Sequence, residues 1–377
     1  MWKPALEFGV LGPLQMTADG TSVPLGAPKQ RAVLAMLVIN RNRPVSVDAL
    51  INAVWDHSPV PAARTSIHSY VSRLRGLVSN AGHDPNTVLA SAPPGYQLNV
   101  DDAGCDLGRF ITEKTAGVHA AAAGRFEQAS SHLAAALAQW RGPVLDDLRD
   151  FTFVDAFATA LLEDKVVAHT ALAEAEIACG RGYSVIAALE GLVVEHPFRE
   201  QLWAQLMTAY YVADRQSDAL DAYRRLKGNL ADSLGIDPGR TVSALHERIL
   251  RQERLDIKGT AQTAAQHAAV DSGPHTATLV GQSAVAQLRG QDGRRYRLEV
   301  STRIGRRPDN DIVLDDDDVS RYHAVIIDTG SSFVISDLRS TNGVLVGGRR
   351  IRPSATLTDG DHIRIGGHQF TFEIIAP

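Results

Sequence analysis

Two changes of hydrophobic period divide the chain, and each limits what the residues on either side can fold into. From Asp106 to Leu255 apolar residues recur at three- and four-residue spacing in Ala- and Leu-rich runs, the pattern of helices that bury one face. Beyond residue 280 the period drops to two, in the short segments RYRLEV, HAVIID, FVISDL, HIRIG and FTFEII separated by Gly and Asp turns, which predicts a small all-β domain. Before residue 104, strand-like runs (LEFGVLGPLQM, VLASAPPGYQLNV) bracket helical patterns rich in Arg. The stretch KGTAQTAAQHAAVDSGPHT carries no apolar periodicity and reads as a linker. The expected organisation is therefore multidomain α+β: a mixed block over 1–103, a helical block over 104–255, a linker over 256–280 and a β block over 281–377.

With 377 residues, 44% of them apolar, the chain exceeds what one core holds, in keeping with several domains. Charge is nearly balanced, 38 basic against 43 acidic residues, so any nucleic-acid surface must come from local clustering. The two cysteines, Cys105 and Cys179, form no CxxC pair and have no histidine cluster beside them. Neither a disulfide framework nor a metal site is expected, no cofactor is implied, and a reducing cytoplasm fits. The first residues lack a basic segment followed by an apolar run, and the longest apolar run, Ala32 to Ile39, is too short to cross a bilayer, so no membrane partner is expected.

The helical block contains an echo. GRFEQA (124–129), GRGYSV (180–185) and DRQSDA (214–219) each sit where a helix should start after a tight turn, and the last two lie 34 residues apart, the tetratricopeptide period. Trp203, Leu206, Tyr210, Ala219 and Tyr223 fall at the packing positions of such a repeat, although any stack of Ala-rich helix pairs gives a similar pattern. Either way the block reads as a scaffold for protein contacts.

In the mixed block, residues 61–80 place Ile67, Tyr70, Val71, Leu74 and Val78 on one helical stripe. Thr65, His68, Ser69, Ser72 and Arg73 are left outward with Arg64 and Arg75 at the flanks, a face without a carboxylate. Such side chains suit a DNA major groove, though an Arg/Ser face alone also describes an ordinary solvated helix. Two helices precede it, QRAVLAMLVI and SVDALINAVW with Ser46 as N-cap, and a hairpin, VLASAPPGYQLNV, follows, which together describe a winged helix-turn-helix. LGPLQM, PKQRAVLAMLV, SYVSRLR and PPGYQL resemble the DNA-binding domain of the Streptomyces antibiotic regulatory protein (SARP) family. The resemblance implies that this helix enters the major groove of promoter DNA, with His68, Ser69 and Arg73 as base readers and Arg64, Thr65, Ser72 and Arg75 on phosphates. It also implies a tetratricopeptide-like bacterial transcriptional activation domain next, matching CDLGRF and the repeats.

The β block holds LDDDDVSRYHAVI, in which Ser320 and His323 follow four aspartates. If the segment is a strand, positions three apart face opposite sides and cannot pair as nucleophile and base. No GxSxG elbow and no Gly-rich loop ending in Lys-Ser or Lys-Thr occurs, HERIL (246–250) lacks a second histidine, and the aspartates lack the Gly and distal Glu of a calcium loop. The chain is thus not expected to be an enzyme, and the aspartates read as a solvated turn. RIGRRPDNDIVL, VSRYHAVI, DLRSTNGVLV and LTDGDHIRIG, in this order, closely resemble the forkhead-associated (FHA) domain, a β-sandwich that binds phosphothreonine at its apical loops. Carried over by motif, Arg306 and Ser320 grip the phosphate, Arg321 and Thr341 assist, and Asn342 holds the peptide backbone or the residues after the phosphothreonine, while His323 reads as a structural histidine that ties loops together. The aspartates are expected to disfavour acidic peptides near that loop or to favour basic flanks. The order of the three blocks resembles kinase-responsive mycobacterial regulators. That implies an activator recruited to a phosphorylated Ser/Thr protein kinase, with RNA polymerase a further candidate partner and cell-wall arabinan genes as candidate targets. The competing reading is a phosphorylation-dependent adaptor without sequence-specific DNA binding.

Overall fold

The computed structural model describes residues 6–55, 59–271, 285–299, 301–308, 310–329, 332–351 and 354–375. They fold into two compact units. One takes in Met1–Thr112, Ala138–Glu163 and Pro274–Pro377, and the other Glu113–Leu137 and Asp164–Gly273. The N-terminal block and the β block, expected as separate parts, thus share one unit.

The chain begins with a three-stranded antiparallel sheet, β1 (Leu6–Gly9), β2 (Gln15–Ala18) and β3 (Thr21–Ser22). Helix α1 (Pro28–Ile39), strand β4 (Val45–Ser46) and helices α2 (Val47–Trp55) and α3 (Ala63–Asn80) follow. A short helix α4 (Pro85–Val88) leads to β5 (Leu89–Ala92) and β6 (Gly95–Leu98), which with β4 make a sheet in the order β4-β6-β5. Proline suits the first turn of α1, where its missing N–H is not needed. Ser46 Oγ accepts the N–H of Ala49 at 3.0 Å and so caps α2. The stripe predicted on α3 is the buried one: Ile67, Val71, Leu74 and Val78 are inside, with Tyr70 half-buried against Trp55. Gly95 is where β6 meets β4 most closely; a Cβ there would lie 1.9 Å from the Val45 carbonyl oxygen.

The helices that follow are α5 (Asp106–Ala122), α6 (Phe126–Leu137), α7 (Thr152–Ala178), α8 (Ile186–Glu195), α9 (Glu200–Val212), α10 (Gln216–Leu234), α11 (Arg240–Leu250) and α12 (Ile257–Asp271). The sequence echo is a repeated helix ending. Gly124, Gly180 and Asp214 adopt φ of 72°, 78° and 59°. In each case the next residue donates its N–H five residues back, Arg125 to Ala120, Arg181 to Glu176 and Arg215 to Tyr210, the bond of a Schellman motif. Trp203, Leu206, Tyr210 and Ala219 pack in one core with Tyr223 at its edge. The expected linker 256–280 is corrected by α12, whose Ala261 and Ala265 pack against Phe126, Ala129 and Leu133. Alanines four residues apart make a shallow stripe that hydropathy barely registers, and Asp256 starts the helix by accepting the Gly259 N–H. Residues 272–280 of that stretch lie outside the described ones.

The remaining strands are β7 (Val285–Gly290), β8 (Arg295–Arg297), β9 (Ser301–Gly305), β10 (Ile312–Val313), β11 (Ala324–Asp328), β12 (Phe333–Asp337), β13 (Val344–Val346), β14 (Arg349–Arg350), β15 (Ser354–Leu357), β16 (His362–Ile365) and β17 (His368–Ile375). They form two sheets, β10-β9-β11-β12-β15 and β14-β13-β16-β17-β7-β8, around a core that includes Leu288, Ile304, Ile326, Ile335, Ile365 and Phe372. Strands β11 and β12 are buried on both faces: Ala324, Ile326, Phe333 and Ile335 point into the sandwich, while Val325, Ile327 and Val334 are equally buried outside that core. Ile327 lines a crevice of about 120 Å³ with Met36 and Ile39 of α1, Ala53 of α2, and Phe153 and Phe157. Arg43 pairs with Asp328 at 3.0 Å across the same joint.

The start of α5 anchors the same unit. The buried carboxylate of Asp106 accepts the N–H groups of Val10 and Leu11 at 2.9 Å and of Leu107 at 2.7 Å, and meets Arg141 at 3.1 Å. Trp140 packs edge-on against Phe110, with ring centroids 5.5 Å apart.

Candidate functional site

At one end of the β-sandwich three loops are stitched together through backbone groups. The loop after β9 donates the Arg306 N–H to the Ser320 carbonyl at 3.1 Å, and Ser320 Oγ accepts the Thr341 N–H at 3.1 Å. Asn342 Nδ2 donates to the Asp318 carbonyl at 2.9 Å. Arg306, Ser320, Thr341 and Asn342 are thereby brought to one end, as expected. Arg321 is on the same loop, with its side chain exposed and without a partner among the described residues, while its carbonyl accepts from Asn310. His323, 0% exposed, is the hub. Its Nδ1 accepts the Ser320 N–H at 3.0 Å and its Nε2 lies 3.1 Å from the Gly343 carbonyl, which fixes the tautomer with the proton on Nε2.

That geometry corrects one argument against catalysis. Residues 319–323 form a turn and not a strand, so Ser320 and His323 do meet. Both ring nitrogens are nevertheless committed to backbone groups, and neither faces Ser320 Oγ as a base must. The aspartate run is also more than a solvated turn. Asp316 accepts the N–H groups of Gly367 and Asp318 at 3.0 and 2.8 Å, and these bonds hold its carboxyl below the usual range, with His368 adding to the effect. Asp317, fully exposed, places its carboxylate on the Arg306 guanidinium.

On the N-terminal block, Thr65, His68, Ser69, Ser72 and Arg73 line the exposed side of α3. Arg73 has no hydrogen-bond or charge partner among the described residues. Arg64 pairs with Asp48 of α2 at 2.5 Å. Arg75 departs from the expected phosphate contact: its guanidinium is spent on the wing, donating to the Leu89 carbonyl at 2.8 and 2.9 Å and to Ser91 Oγ at 3.0 Å. His68 Nδ1 lies 2.6 Å from the Tyr96 hydroxyl on β6, so the helix and the wing present one surface.

Comparison with known proteins assigns these parts. The chain is 67% identical over 373 residues to transcriptional regulatory protein EmbR of Mycobacterium tuberculosis, covering 98% of this chain and 96% of that protein. The chain belongs to the EmbR family of transcriptional regulators. MoaR1 of the same organism, another transcriptional regulatory protein, is 53% identical over 253 residues, or 67% of this chain and 81% of its own. Three domain families match in order: transcriptional regulatory protein, C terminal, over residues 20–98; bacterial transcriptional activator domain over 105–250; and FHA domain over 302–366. The solved structure of Mycobacterium tuberculosis EmbR in complex with a low affinity phosphopeptide superposes with a TM-score of 0.95 at 66% identity, covering 100% of this chain and 99% of that one.

Membership in the EmbR family settles the class: a SARP-type transcriptional regulator with an FHA domain, not an enzyme. No described helix is long and apolar enough to cross a membrane. Four groups that shape these two candidate surfaces lie outside what the motifs mark: Asn310, whose amide bonds the Arg307 and Arg321 carbonyls; Ser340, which accepts the Gly343 N–H; Asp317, expected only as one of a run of aspartates and not as the partner of Arg306; and Tyr96. Asn310 follows a turn-forming Pro-Asp pair and was legible as a turn residue. The other three act on partners 11 to 28 residues away or through backbone folding, and no local spacing reveals that.

Proposed function

We propose that this EmbR-family regulator captures a phosphothreonine on a Ser/Thr protein kinase at the apical end of its FHA domain and binds promoter DNA through α3 and the wing. The observation that carries the reading is the convergence of Arg306, Ser320, Thr341 and Asn342 at one end, held there by a buried histidine. Phosphothreonine presents nearly two negative charges and three acceptor oxygens, which a guanidinium, a hydroxyl and amide donors match. Arg306 and Ser320 hold the phosphate, Thr341 and Arg321 complete the shell, and Asn342 fixes the peptide chain. That a solved EmbR carries a phosphopeptide supports the same use of these residues.

On the DNA side, His68, Ser69 and Arg73 read base edges while Arg64, Thr65 and Ser72 meet phosphates; Arg75 and Tyr96 position the wing. The helical block contacts RNA polymerase, the chain works in the cytoplasm, and arabinan-synthesis promoters are its candidate targets. Strand β11 links the two surfaces, since it runs from the Ser320–His323 turn to the joint with α1 and α2. Coupling requires that the phosphorylated partner bind two arrangements of that joint with different affinity. A gel shift with candidate promoter DNA across a salt series tests the reading: a regulator gives a sequence-selective complex that weakens steeply as salt rises, whereas an adaptor gives none.

A further inference from the structure

The phosphate-binding arginine is already occupied by a carboxylate of the same chain. Arg306, 42% exposed, is paired through Nη1 with Asp317 Oδ1, and Asp317 is 100% exposed, so no packing holds the carboxylate there beyond this contact. The turn that carries it is set by its neighbour. Asp316 takes the N–H groups of Asp318 and Gly367, and the Val319 N–H bonds the Asp316 carbonyl at 3.0 Å, which presents residue 317 toward the loop after β9. Asp315, also exposed in the same run, makes no bond among the described residues.

We propose that Asp317 is an internal competitor for the phosphate site, one that sets the regulator's affinity and its preference for a doubly charged phosphate. The proposal rests on the reading of Arg306 as phosphate-binding. A ligand anion must displace Asp317 before it can take the Nη1 edge of the guanidinium. A phosphate dianion does so with charge to spare, whereas a peptide carboxylate only exchanges one single charge for another. The cost of displacement is that of one exposed ion pair, so it tunes affinity by a small factor and does not close the site.

The test is a fluorescence-anisotropy titration of the full chain with a labelled peptide holding one phosphothreonine among neutral residues. Four proteins are compared: wild type, Asp317→Asn, Asp315→Asn and Arg306→Ala. Asp317→Asn is expected to tighten binding about two- to fivefold, with the gain shrinking at high salt, while Asp315→Asn stays near wild type. Equal affinity of Asp317→Asn and wild type, or an equal gain in Asp315→Asn, overturns the proposal, the second by showing that only the general field of the run matters. If Arg306→Ala binds as well as wild type, the underlying reading of the site fails first and the proposal falls with it.

Discussion

Replacing His323 by alanine removes the piece that holds two apical loops in register. The fully buried ring accepts the half-buried Ser320 N–H and bonds the buried Gly343 carbonyl. Each buried polar group left without a partner costs about 1–3 kcal/mol, and water entering the vacated space recovers part of that. The expected local destabilisation is therefore about 3–4 kcal/mol. Amide hydrogen exchange read by mass spectrometry reports local opening even in a chain whose units do not unfold as one. Amides in 301–307 and 320–344 are expected to exchange about two to three orders of magnitude faster, with little change in α1–α3. His323→Asn keeps an acceptor for Ser320 but is too short for Gly343, and should lose about half as much. Exchange within about tenfold of wild type in both segments would refute the idea that His323 organises the site.

Arg73→Ala should lower operator affinity about ten- to a hundredfold while shifting stability by less than about 0.5 kcal/mol, measured by gel shift and thermal unfolding. Gly95→Ala puts a methyl into the Val45 carbonyl, so the wing should lose its β4–β6 pairing and DNA binding should fall with hydrogen-exchange protection of 89–98. Asp106→Ala strands the Val10 and Leu11 N–H groups and should cost about 3–5 kcal/mol in urea unfolding. Glu176 is held at about 2, first by Arg181 and then by Ser130 and Ser184. Because its folded value lies below the ordinary 4.5, its contribution is present above that value and lost as pH falls toward 2. The stability difference between wild type and Glu176→Gln, followed by circular dichroism, should narrow as pH drops from about 5 to about 3.

Periodicity carried most of the architecture. The α3 stripe, the alternating β segments and the recurrent helix endings are local patterns, and each appears where the residues placed it. What escaped was non-local or shallow. Helix α12 has no apolar period to betray it, because two alanines and a single isoleucine at its start make its apolar contacts. Val325, Ile327 and Val334 signal a second buried face on β11 and β12, yet an unbroken apolar run does not say what covers it, and the sharing of one unit by the two terminal blocks stayed hidden. Motif resemblance brought out Arg306, Ser320, Thr341 and Asn342, which the loops gather at one end of the sandwich. The engagement of Arg75 with the wing and of Asp317 with Arg306 depends on loop shape, which spacing does not encode.

Arg306 and Ser320, as we propose, hold the esterified phosphate and not the peptide around it. Isothermal titration of the full chain with a threonine peptide and its phosphorylated twin measures this directly. The phosphorylated peptide should bind at least about a hundredfold more tightly, the worth of two charge-assisted bonds, and most of that advantage should vanish in Arg306→Ala. Equal affinity for the two peptides, or an advantage untouched by Arg306→Ala, would contradict the account.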